Sequence, residues 1–117
     1  MTNSITIYGI RTCDTMKKAR AWLDARGVSY AFHDYKSEGI AHDLLESWSR
    51  AASWETLLNR AGTTFRKLPE ADRANIDEHK AIRLMLAQPS MIRRPVLDTG
   101  SALIVGFKRE LYAKTFS

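Results

Sequence analysis

At 117 residues, 44% hydrophobic and 26% charged, the chain has room for one domain and not for two cores. The sequence holds no low-complexity tract and no repeat at solenoid periods, and a single cysteine excludes an internal disulfide. The net charge of +5, from 18 basic and 13 acidic residues, favours anionic partners. No run of five like charges occurs, so a nucleic-acid-binding arm, and direct nucleic-acid binding with it, is not expected.

The opening MTNSITIYGI has no basic stretch followed by a long apolar one, and no apolar run approaches membrane-spanning length. The expectation is a cytoplasmic chain without membrane contact. Residues 4–8 alternate Ile5 and Ile7 with polar neighbours and read as a strand ending at Gly9. From Asp14 the period changes to helical: Met16, Ala19 and Leu23 share a face with Trp22 beside them, and Gly27 suits the left-handed position past the helix end. VSYAFHDY, residues 28–35, reads as a second strand.

Over residues 36–94 the spacing predicts helices at 41–50, 53–60, 69–74 and 77–88. Ser53 and Asp77 suit N-caps, Pro69 a first helical position, and Pro89 a stop. PVLDTGSALIVGF then joins two short apolar runs through Asp98-Thr99-Gly100-Ser101, a hairpin signal, before a short helix at 108–116. The order is βαβ, helical segment, ββα. A parallel first pair extended by an antiparallel hairpin gives an α/β thioredoxin-like fold with a mixed four-stranded sheet. The chain is read as a single domain over residues 1–117 with a helical insertion at about 37–90.

Cys13 stands where the first strand has ended and the first helix begins. Unpaired N–H groups at a helix start favour thiolate over thiol, and Lys17, one turn in, adds positive charge. An ordinary thiol is only about 3% ionised at neutral pH, so such a setting would turn Cys13 into a nucleophile. The competing reading is a small buried hydrophobe; the polar turn RTCDT argues against it. His33, His42 and His79 lie in separate elements and carry no catalytic motif. One Cys and no close His pair give no metal site.

YGIRTCDTMKKARAWL, with LLNRAGTTFRKL, IRRPVL and LIVGFKRELY, resembles the arsenate-reductase-like branch of thioredoxin-fold proteins, the ArsC, Spx and YffB group, and within it the YffB branch. The resemblance implies that Cys13 is the nucleophile and that Pro95 is a cis-proline opening the third strand. Arsenate reductases of this group carry Asn, Ser and Arg where this chain has Ile10, Met16 and Lys17. They hold the oxyanion with three arginines. Arg94 matches the second, Arg60 lies near the first, and Lys108 stands at about the third. A lysine cannot grip an oxyanion bidentately, which leads away from arsenate reduction. Spx-like proteins often place a second Cys where Met16 stands, so any resolving thiol must come from outside.

The expected function is a glutathione-dependent thiol-disulfide oxidoreductase with one nucleophile, Cys13. No bound cofactor is expected, glutathione being the co-substrate. Thr12, Lys17, Arg60, Arg94, Pro95 and Lys108 are the candidate substrate- and glutathione-binding residues, with Arg93 undecided. The alternatives are an Spx-like regulator, whose partner would be RNA polymerase, and an arsenate reductase using glutathione.

Overall fold

The computed structural model describes residues 4–116. The chain forms two compact units: one from the residues up to Asp34 together with those from Arg94 onward, the other Tyr35–Arg93.

The first unit holds the sheet. β1 (Thr6–Gly9) is followed by α1 (Asp14–Ala25) and β2 (Ala31–Asp34). The strand order is β2-β1-β3-β4, where β3 is Val96–Asp98 and β4 is Leu103–Val105. β1 pairs with β2 in parallel and with β3 antiparallel, and β3 pairs antiparallel with β4. A parallel pair needs a crossover connection, and α1 supplies it. A loop of residues 99–102 closes the hairpin: Thr99 N–H donates to the Ala102 carbonyl (3.0 Å), and Gly100 N–H to the Asp98 carboxylate (2.9 Å). Gly100, at φ +88°, takes the left-handed position.

Met16, Ala19 and Leu23 of α1 meet Ile7, Leu97 and Ile104 of the sheet and Tyr112 in one apolar cluster. Tyr112 belongs to α8, Arg109–Thr115, and its ring packs edge-on to Trp22 (5.6 Å) and Phe107 (5.0 Å). α8 is thereby fixed against α1 and the sheet. The α/β thioredoxin-like fold and the mixed four-stranded sheet stand as expected from the sequence.

The second unit is helical: α2 (Tyr35–Glu38), α3 (His42–Ala52), α4 (Trp54–Leu57), α5 (Thr63–Arg66), α6 (Glu70–Arg73), α7 (Glu78–Ala87) and a 3-10 turn at Pro89–Met91. Asp77 caps α7 by accepting from Lys80 N–H (2.8 Å), and Ser53 caps α4 by accepting from Glu55 N–H (3.2 Å). Ser49 on α3 donates to Glu78 on α7 (2.7 Å).

Several elements differ from the expected ones. β2 begins at Ala31 and ends at Asp34, because Tyr35 turns into α2 and its hydroxyl donates to the Ile92 carbonyl (2.7 Å). The helix expected over 53–60 stops at Leu57: Leu58 is extended and bridges Ile92. Pro69 is the N-cap of α6 rather than its first residue, and α5 was not foreseen. Among the described residues no helix is long and apolar enough to cross a membrane.

Candidate functional site

The turn between β1 and α1 is tied at both ends. Cys13 N–H donates to the Ile10 carbonyl (3.1 Å), closing Ile10-Arg11-Thr12-Cys13 into a turn, and Arg11 N–H donates to the buried Asp34 carboxylate at the end of β2 (3.1 Å). Lys17 N–H donates to the Cys13 carbonyl (3.0 Å), so Cys13 is the N-cap of α1, in extended geometry. Gly9 lets the helix come close: a Cβ there would run into the Met16 thioether. Met16 is itself fully buried, so the position three residues after the thiol belongs to the core.

Cys13 is partly buried. Its sulfur closes no capping hydrogen bond; what acts on it is the balance of burial against nearby positive dipoles and charge. Burial raises the thiol pKa. The Met16 N–H, the Arg94 guanidinium and the Thr15 N–H together outweigh burial and hold it below the value of an ordinary thiol. Arg94 acts twice, donating to the sulfur and contributing its charge. It is brought there by the start of β3, where the Arg94-Pro95 peptide is cis, Pro95 is buried, and the Pro95 carbonyl accepts from Gly106 N–H (2.8 Å).

The structure thus brings Arg94, the residue before Pro95, to Cys13. Thr12 is exposed in the turn, and Lys17 is exposed on α1, acting on Cys13 through its backbone N–H. Lys108 is the exposed N-cap of α8 and lines a groove with Lys18. Arg60 belongs to the second unit, exposed, its guanidinium over the Trp54 ring (5.2 Å). Arg93 has a structural role: its N–H donates to the Leu57 carbonyl (2.7 Å) and its Nε to the Thr56 carbonyl (3.1 Å).

Sequence reasoning missed Asp34, which holds the turn, and the Thr15 and Met16 amides as individual donors. Only the Asp14 helix start signalled the amides, and nothing local signalled Asp34. His33 packs on Tyr8 (5.2 Å), and the exposed His42 pairs with Glu46 (3.3 Å). Among the described residues His42, Asp43 and Glu46 bring ligand atoms within 4.8 Å of one another, yet His42 and Asp43 are exposed and nothing fixes them in a coordination geometry.

A strand, a turn, and a thiol of lowered pKa at a helix start, reached by the arginine that precedes a cis-proline, define a thioredoxin-fold protein with a single cysteine at that position. Comparison with known proteins makes this narrower. The ArsC family model matches residues 8–115, and the chain belongs to that family. The solved structure of a protein named YFFB is 58% identical with a TM-score of 0.95, covering 97% of this chain and 100% of that one. An uncharacterized protein of Haemophilus influenzae is 32% identical over 113 residues, 97% of this chain and 99% of its own. The global transcriptional regulator Spx of Listeria innocua is 26% identical over 108 residues, 91% of this chain and 82% of its own.

Proposed function

We propose that this chain is a single-cysteine thiol-disulfide oxidoreductase that uses glutathione as its external thiol, and that it works in the cytoplasm. The observation that carries the reading is the Cys13 sulfur facing the Met16 and Thr15 amides with Arg94 donating to it.

In the first step the Cys13 thiolate attacks the glutathione sulfur of a glutathionylated substrate. The new S–S bond forms as the old one breaks, and the substrate leaves as a thiolate that takes a proton from water. In the second, a glutathione thiolate attacks the glutathione sulfur on Cys13, releasing oxidised glutathione and restoring the Cys13 thiolate. The cycle consumes one free glutathione: it leaves joined to the glutathionyl group taken from the substrate, as oxidised glutathione, while the substrate sulfur is reduced to a thiol. The core position of Met16 supports an external thiol, since no resolving sulfur stands there. Arg94 stabilises the departing and returning thiolate and steers the anionic tripeptide. Thr12, Lys17, Pro95 and Lys108 are further candidates for contact with the tripeptide.

Incubation with oxidised glutathione should add one glutathione to the wild type and none to Cys13→Ser, read by intact mass. Absence of any adduct on the wild type would sink the reading. The likeness to Spx favours a second one, a regulator binding RNA polymerase through a surface that needs no turnover. Co-purification with polymerase, undiminished in Cys13→Ser, would support it. Arsenate reduction is disfavoured by Ile10, Met16, Lys17 and Lys108, which replace the residues that activity uses in the group.

A further inference from the structure

A groove of about 570 Å³ lies along the start of α8, lined by Phe107, Lys108, Arg109, Glu110 and Leu111, with Lys18 of α1. Three cations face one carboxylate there. Leu111 is the large apolar side chain left exposed among the described residues, at 41%, and Phe107 is only partly buried.

The groove is built on the elements that also carry the thiol site. Phe107 follows Gly106, whose N–H is held by the Pro95 carbonyl (2.8 Å) next to Arg94. Cys13 and Phe107 pack against the same apolar cluster. Lys18 is five residues along α1 from Cys13, about 7.5 Å of helix rise and about 140° around the helix axis. An extended peptide covers the rise and the rotation together in about four residues at ~3.3 Å each.

Glutathione carries no apolar side chain that would cover Phe107 and Leu111. A peptide segment with both carboxylates and an apolar side chain complements the groove in charge and in surface. We propose that a protein substrate lays such an acidic, partly apolar segment in this groove, within about four residues of the cysteine that exchanges with Cys13. The inference rests on the thiol-exchange reading above and names its substrate class: cysteines flanked by acidic and apolar residues in a protein. The chemical step is the transfer already written, from the glutathionylated peptide to Cys13, with the peptide thiol as product.

Two synthetic peptides test it. Each has one glutathionylated cysteine and a leucine nearby; one carries glutamates two to four residues from the cysteine, the other lysines at the same places. The readout is the ratio of second-order rate constants for glutathione transfer to Cys13, acidic over basic. The wild type should show a ratio of about ten at low salt, shrinking as the charges are screened. Both Lys18 and Arg109 are exposed, so their replacement leaves the core intact. Lys18→Gln with Arg109→Gln should bring the ratio to about one, and Lys18→Glu with Arg109→Glu should invert it. A wild-type ratio near one, or a preference retained in both double variants, overturns the groove assignment while leaving thiol exchange in place. Failure of the wild type to react with either peptide or with oxidised glutathione overturns both.

Discussion

Arg94→Ala isolates the charge that the structure places on the Cys13 sulfur. A hydrogen bond to a charged group contributes about 1.5–3 kcal/mol. Cys13 is only partly buried, so solvent screening reduces this, and about 1 kcal/mol is a fair working value. That energy corresponds to a roughly fivefold loss of thiolate well below the titration midpoint. The thiolate that remains is more basic and attacks faster, with a Brønsted slope of about 0.4–0.5, which returns roughly twofold. The net expectation is a rate that falls about two- to threefold at low pH and rises about twofold on the high-pH plateau. The two pH–rate curves should therefore cross. The assay is exchange with a small neutral dipyridyl disulfide, followed by absorbance, because a neutral reagent feels no steering by Arg94. Arg94→Lys keeps the charge without the rigid fork and should fall between the two. Superimposable profiles for wild type and Arg94→Ala would refute the role given to this side chain, and a uniform loss at all pH values would show a steric effect instead.

The lowered thiol pKa also has a sign in stability. A depressed folded-state pKa contributes stability that is complete above the ordinary thiol value, 9.0, and is lost as pH falls through the lowered one. The stability difference between wild type and Cys13→Ser in urea should thus grow with rising pH across that window, and a difference that shrinks contradicts the assignment. Tyr112 is fully buried with its hydroxyl unpartnered, and burial pushes its phenol well above the ordinary value. Tyr112→Phe should keep the ring contacts and raise stability by about 1 kcal/mol, measured by the urea midpoint; a clear loss would mean the hydroxyl has a partner in solution. Asp34→Ala removes the acceptor for Arg11 N–H and should cost about 1–3 kcal/mol, with Asp34→Asn milder, and should slow Cys13 exchange by loosening its turn. An Asp34→Ala protein with unchanged melting and unchanged exchange would show that the turn holds itself.

The legible parts of this chain are those whose cause is local. Ile5 and Ile7 alternating before Gly9, then Met16, Ala19 and Leu23 on one helical face, placed β1 and α1 within a residue or two. The thiol at the helix start followed from the same boundary, and its lowered pKa from the amides that any helix start leaves open. Asp77 and Ser53 were readable as caps because an N-cap bonds two or three residues ahead. What escaped was set from a distance. Nothing near Tyr35 shows that its hydroxyl will meet the carbonyl of Ile92, 57 residues later, and cut β2 short. Leu58 leaves the helix to bridge the same residue, Ile92, against a local pattern that would continue α4. α5 begins at Thr63 behind Gly62, which offers no side-chain cap, so no residue marked it.

Arg93 and Arg94 show the limit most sharply. They are adjacent and identical, and no propensity distinguishes them. Arg93 gives its backbone N–H and its Nε to the carbonyls of Leu57 and Thr56, fastening the end of the helical unit where α4 unwinds. Arg94, one residue on and joined to the cis Pro95, donates to the sulfur. Which arginine serves the scaffold and which serves the thiol is decided by carbonyls freed about 37 residues upstream, at a helix end the sequence did not reveal. Substituting Arg93 should accordingly register in melting and substituting Arg94 in reactivity, although the two share a peptide bond.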